Sequence, residues 1–241
     1  MTPKGFKIMK RTSILRFGAI SAFLCGALYL LVGVTHFLLP REQLRGATGV
    51  DAAFFESLAS SSAVFTVHYW LVVLACLFAV GVILAFLQLL HGHQSGFLCW
   101  AALLGLLGAG LAAIDYAYVG VEGPRLAQRF VASSSAAQSA LLLQGVPHVD
   151  PCFLAWGLMG LWALAANTAA LQARRLPRFL GWLGILGGSM LLLTFAGALG
   201  RSALLVDISV GLAGIVVGPA WNFWFGGALR RAVAEENGSS R

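Results

Sequence analysis

Apolar residues occur along this chain in long uninterrupted runs, and ionisable residues are almost absent inside them. A run of about 20 apolar residues spans roughly 30 Å of hydrocarbon as an α-helix, which satisfies its own backbone hydrogen bonds. The pattern predicts an all-α polytopic membrane protein, a bundle of six transmembrane helices that forms one integral-membrane domain over residues 1–241. The predicted spans lie near residues 17–39, 67–90, 97–119, 152–173, 179–200 and 203–229.

The first of two long outer loops, residues 40–66, carries the signals of a short helix. Asp51 is a suitable N-cap, because its side-chain oxygen can accept a hydrogen bond from a backbone N–H in the first turn. We expect the helix to continue as far as Leu58. Phe54 and Phe55 are expected to lie on the membrane surface.

The second outer loop, residues 120–151, also predicts a helix. Pro124 suits the first helical position, where no backbone N–H is required. Leu126 and Phe130 are followed by further apolar residues at a spacing of about four, which places them on one helical face. We expect an amphipathic helix from Pro124 to Leu143 that lies along the membrane surface, so that both outer loops are partly helical.

Composition supports a membrane location: 59% of the residues are hydrophobic and only 10% are charged. The net charge of +7 is placed mainly in three segments, residues 4–16, 174–178 and 230–231. These segments share one side of a six-span topology, and the positive-inside rule assigns that side to the cytoplasm. We therefore expect both termini in the cytoplasm, contact with the lipid bilayer, and no nucleic-acid partner.

The candidate chemistry comes from ionisable groups at one depth, near the outer ends of the helices. His36, His68, His148 and Asp150 are the residue types that bind zinc or another transition metal. Alternatively, His36 and His68 could bind a haem iron from opposite sides. We expect these groups and Asp115 to surround a single outward-facing cavity.

Asp115 is predicted about one turn inside the outer end of the third span, and carboxylates at membrane depth face a cavity or a partner because they are costly in lipid. It is a candidate catalytic acid or base. The alternative is a structural bond to Arg201, Tyr116 or Tyr118. Arg201 and Asp207 flank the outer turn between the fifth and sixth spans and are a candidate structural ion pair.

The last two spans contain glycine pairs with small-xxx-small spacing, Gly184 with Gly188 and Gly214 with Gly218. Small residues allow helix backbones to approach closely in lipid. The pairs are therefore predicted packing devices. The partner helix could belong to the same chain, to a second copy or to another membrane protein.

Two segments carry a family resemblance. The residues LPRFLGWLG at 176–184, and GPAWNFWFG at 218–226, resemble a bacterial family of small membrane proteins with six or seven spans, known as a domain of unknown function. The resemblance covers the C-terminal third of the chain. It implies a bacterial inner membrane and brings no established activity.

Several functions are excluded by missing residues. The predicted spans contain no lysine for a retinal Schiff base, and their inner half lacks the ionisable relay of an ion pump. The sequence is consistent with an integral membrane subunit or ligand-binding scaffold. The alternative is a metal- or haem-dependent enzyme at the outer leaflet, and a small-solute carrier is a third hypothesis.

Overall fold

The computed structural model describes residues 11–44, 50–92 and 96–238, and all regular secondary structure in these ranges is helical. Lys4, Lys7 and Lys10 of the basic segment 4–16 lie outside these ranges. The helices are α1 (Arg11–Leu38), α2 (Arg41–Leu44), α3 (Ala52–Ser60), α4 (Ala63–Leu89), α5 (Gly96–Val131), α6 (Ser135–Gln144), α7 (Leu154–Gln172), α8 (Arg178–Leu199), α9 (Ala203–Gly211) and α10 (Gly218–Gly238).

Within the described ranges, six helical segments are long and apolar enough to cross a membrane. They are α1, α4, α5, α7, α8 and the continuous segment from α9 to α10, which confirms the predicted bundle of six transmembrane helices. A π-helical segment, Leu212–Val217, joins α9 to α10. Pro219 follows it closely, and because proline has no N–H, it cannot complete a regular α-helical turn there.

The six spans form a closed ring. Helix α1 packs against α4 and α10, α4 against α5, α5 against α7, α7 against α8, and α8 against α9. The end of the ring that holds His36, His68 and His148 is called the histidine end below. The end that holds Arg16, Arg178 and Arg230 is called the arginine end.

Close backbone approach holds α7 against α8. A methyl group added at Gly160 would lie 2.8 Å from the carbonyl oxygen of Gly188 and 3.0 Å from the backbone nitrogen of Leu192. Gly188 therefore packs against a helix of the same chain, which is one of the alternatives left open by the sequence. Gly214 behaves differently, since a methyl group there would meet no atom within 4 Å.

At the histidine end, α3 packs on the part of α5 that extends past the predicted span. Asp51 caps α3 as predicted, because its Oδ1 accepts a hydrogen bond from the backbone nitrogen of Phe54 at 2.8 Å. The prediction that Phe54 and Phe55 lie on the membrane surface is wrong, because both are buried. The ring of Phe55 stacks on Phe130 of α5 with centroids 4.9 Å apart.

The prediction that Pro124 begins a surface helix is also wrong. Helix α5 continues through Pro124 to Val131, although proline cannot donate a hydrogen bond to the carbonyl of Gly120. Packing compensates for this loss, since Leu126 and Phe130 are buried against the α3 side of the structure. The separate helix α6 follows after a short turn.

Candidate functional site

The ring of spans encloses a cavity of about 640 Å³, and every one of the six spans contributes residues to its wall. The cavity is elongated along the bundle. Cys25 and His36 of α1 both line it, and their separation along the helix is about 16 Å at 1.5 Å per residue. It therefore extends from the histidine end deep into the membrane-spanning region.

Two glycines of the cavity wall face open space, because a methyl group added at Gly211 or Gly214 would meet no atom within 4 Å. On the segment from α9 to α10, the residues that line the cavity recur every three or four positions, whereas Ile208, Leu212 and Val216 between them are exposed on the outer surface. This spacing places one helical stripe toward the cavity. The stripe includes Asp207, Gly211, Gly214, Gly218 and Asn222, and apolar residues such as Val206, Val210 and Val217 line the cavity beside them.

The deep end of the cavity is polar and closed. The Oδ1 of Asn167 accepts a hydrogen bond from Nε1 of Trp221 at 3.2 Å, and Nδ2 of Asn222 donates to the carbonyl of Gly218 at 2.9 Å. Asn222 is only 7% exposed, lines the cavity, and its carboxamide oxygen accepts no hydrogen bond from the described residues. A ligand group that donates a hydrogen bond would satisfy this oxygen.

Beyond this polar pair, aromatic rings close the cavity toward the arginine end. Phe86 and Phe225 are buried, with ring centroids 5.0 Å apart. Trp221 stacks on Phe225 at 4.8 Å and on Phe86 at 6.1 Å. The cavity is thus a pocket that ends at an aromatic cluster within the bundle.

At the histidine end, Asp115 of α5 holds the turn that precedes α7. Its Oδ1 accepts hydrogen bonds from the backbone nitrogens of Val149 at 2.6 Å and Asp150 at 3.0 Å. Nδ1 of His148 donates to its Oδ2 at 3.1 Å. Asp115 is 6% exposed, and these bonds offset the cost of burying its charge.

Asp150 then connects the same turn to α7. Its two carboxylate oxygens accept hydrogen bonds from the backbone nitrogens of Leu154 at 2.8 Å and Ala155 at 2.7 Å. These are among the free N–H groups at the helix start, where a negative charge is also stabilised by the helix dipole. Asp115 and Asp150 together fix the position of His148 at the cavity mouth.

The other two histidines lie on α1 and α4. The rings of His36 and His68 have centroids 6.0 Å apart. Nδ1 of His68 is 2.9 Å from Oγ1 of Thr35, and the same hydroxyl lies 2.9 Å from the carbonyl of Leu31. A carbonyl only accepts, so the hydroxyl proton goes to it, which favours Nδ1–H of His68 as donor and leaves Nε2 as an acceptor.

The structure brings most of the predicted site residues to one cavity, which is lined by His36, His68, Asp115, His148 and Asp150. Yet among the described residues, no group of three or more histidine, cysteine, aspartate or glutamate side chains is arranged to hold a metal ion. These side chains therefore line one cavity but do not converge on one point. His36 lies beside His68, and His148 bonds to Asp115.

Arg201 and Asp207 are not brought together. Ion pairs within 4.0 Å in the described ranges include Arg125 with Glu122 and His148 with Asp115, and Arg201 is in neither. Asp207 lines the cavity, whereas Arg201 is exposed in the turn between α8 and α9, with a φ of 54°.

Sequence reasoning assigned no role to Thr35, Gln43, Asn167 or Trp221, which also line or support the cavity. Asn167 and Asn222 were visible as polar residues in otherwise apolar spans. The stripe on the last span could also have been predicted from the sequence, because its glycine and polar residues recur with helical spacing.

This architecture defines an integral membrane protein with six spans around an internal cavity. Residues 24–227 match the family described as Domain of unknown function (DUF4386), so the chain belongs to that family. The match extends well beyond the C-terminal third, which holds the two segments that resemble the family. No curated protein and no solved structure matches the chain.

Proposed function

We propose that this protein is a ligand-binding membrane protein whose internal cavity holds an amphipathic small molecule. The observation that carries the proposal is the distribution of residues along the cavity of about 640 Å³. Histidines and aspartates line its mouth, while apolar, aromatic and glycine residues line most of its length. A ligand with an apolar body and a polar head matches this distribution.

Hydrogen-bond acceptors at the mouth suit the head of such a ligand. Both His68 and His148 have Nδ1 engaged, with Thr35 and Asp115 respectively, so each neutral ring retains Nε2 as an acceptor. At the other end, the oxygen of Asn222 is a further acceptor. Three acceptors in one pocket favour a ligand that donates hydrogen bonds.

The proposed location is the bacterial inner membrane, with the termini in the cytoplasm and the histidine end outside. Support comes from the arginines at positions 174, 175, 178, 230 and 231, which all lie at the arginine end. Basic residues flanking spans are retained in the cytoplasm. In this orientation the ligand enters from the outer side.

The aromatic cluster that closes the cavity favours a binding pocket over a carrier. A carrier would need Phe86, Trp221 and Phe225 to separate during each cycle, and their rings are stacked. The second candidate function, a haem- or metal-dependent enzyme, is favoured by the approach of His36 to His68. An absorption spectrum and a metal analysis of the purified protein discriminate between the two candidates.

The ligand-binding proposal is tested with 1-aminoanthracene, a fluorophore that brightens in apolar sites and carries a donating amine. Binding is measured to the full-length protein in nanodiscs, with protein-free nanodiscs subtracted. We expect saturable binding with one site per chain. Signal that rises linearly, as in empty nanodiscs, would contradict the proposal.

A further inference from the structure

We propose that the head group of the ligand is an organic cation, and that the cavity mouth selects it by charge. This inference rests on the proposed function and names the chemical class of the ligand. It is argued from the charged and aromatic side chains that line the cavity.

Three carboxylates line the cavity: Asp115, Asp150 and Asp207. Among the described residues of its wall, there is no lysine or arginine. His148 pairs with Asp115, and Asp150 accepts two backbone N–H groups at the start of α7, but no cationic side chain of the described wall pairs with Asp150 or Asp207. Walls of low dielectric strengthen the field of such charges, which attracts cations to the mouth.

The described arginines at the histidine end do not offset this field from within the cavity. Arg41, Arg125, Arg129 and Arg201 belong to this end, and none of them lines the cavity. Arg125 is paired with Glu122, with a distance of 2.7 Å between Nη1 and Oε1. Their charges are exposed outside the cavity, so solvent and salt screen them, as they also screen Asp207, more than they screen the buried carboxylates of Asp115 and Asp150.

Aromatic rings lie at the same level as the carboxylates. The ring of Tyr116, next to Asp115 in sequence, is 5.5 Å from Tyr69 and 6.0 Å from Trp156, and all three residues line the cavity. The faces of tyrosine and tryptophan rings attract organic cations, and more strongly where water is excluded. Carboxylates and aromatic rings together form the kind of surface that binds an ammonium or phosphonium group.

The test compares two ions of nearly equal shape, tetraphenylphosphonium and tetraphenylborate, which carry opposite charges. Each is titrated into the protein in nanodiscs of neutral phosphatidylcholine, with protein-free nanodiscs subtracted to remove lipid partitioning. We expect the cation to bind saturably and about tenfold tighter or more than the anion. Equal or tighter binding of the anion would overturn the inference.

Two variants that each remove one negative charge test whether the preference for a cation comes from the cavity. Asp207→Asn removes a carboxylate that lines the cavity, and we expect it to weaken cation binding roughly two- to fivefold, the range for an exposed carboxylate. Glu56→Gln removes the same charge from an exposed site on α3, outside the cavity, and should leave binding unchanged. Equal effects of both variants would indicate general surface attraction and contradict the inference.

The outcome also separates the inference from the proposed function. If 1-aminoanthracene binds saturably but the cation shows no preference over the anion, the inference fails and the proposed function stands. If neither probe shows saturable binding, both fail.

Discussion

The side chain of Asp115 on α5 accepts a hydrogen bond from His148, which lies 33 residues further along the chain, with Oδ2 and Nδ1 separated by 3.1 Å. The other oxygen of Asp115 accepts two backbone N–H groups of the same turn. Because Asp115 accepts these three hydrogen bonds, it holds α5 against the turn that precedes α7. This contact forms one side of the cavity mouth.

Replacing Asp115 with asparagine should destabilise the protein by about 1–3 kcal/mol, because buried donors lose a charged acceptor. The change is measured as the thermal unfolding midpoint in detergent. Asp207→Asn is the matched control, since Asp207 accepts no hydrogen bond from the described residues. Equal midpoints for the two variants would show that the bonds of Asp115 contribute nothing to stability.

Asp150→Ala should remove the acceptor for the first N–H groups of α7, at a cost of about 0.5–2 kcal/mol. Hydrogen exchange followed by mass spectrometry should show faster exchange confined to the turn at 148–150 and the first turn of α7. Unchanged exchange at Leu154 and Ala155 would contradict the capping role.

Gly160→Ala should destabilise the bundle by about 1–3 kcal/mol, because the new methyl group would lie 2.8 Å from a backbone carbonyl of α8. Gly110→Ala is the control, since a methyl group there meets no atom within 4 Å. Alanine favours helix over glycine, so the control should be neutral or stabilising. Equal unfolding midpoints would show that the α7–α8 approach is not tight.

The predicted spans could be read from the sequence because lipid imposes a minimum length on every helix. The candidate histidines were also placed at one cavity, since depth along a helix follows from residue position. The pairing of His148 with Asp115 could not be predicted, because it depends on a turn outside the helices. Neither could the separation of the His36–His68 pair from the His148–Asp115 pair, which depends on the side-chain rotamers.

The two incorrect loop predictions have one cause. Pro124 and the phenylalanines at positions 54 and 55 were interpreted with local rules for helix starts and membrane surfaces. In the structure, α5 extends beyond the predicted span and offers an apolar surface to α3. Burial against that surface outweighs the local preferences, and a single sequence gives no signal for the extension.

The proposed orientation is tested with the native cysteines. Cys152 is exposed at the histidine end, whereas Cys99 is exposed near the start of α5. A membrane-impermeant maleimide applied to spheroplasts should label the protein through Cys152. Labelling should be lost in Cys152→Ser and retained in Cys99→Ser. The reverse pattern would place the histidine end in the cytoplasm.

The central claim is that the cavity binds a ligand, and the most direct measurement is 1-aminoanthracene binding to two leucine variants. Gly214→Leu fills open space in the cavity wall, whereas Gly110→Leu fills open space outside it. Both variants are first checked for folding by gel filtration and thermal unfolding. We predict that Gly214→Leu weakens binding about tenfold or more and that Gly110→Leu leaves it unchanged. Equal affinities in two folded variants would contradict ligand binding in the cavity.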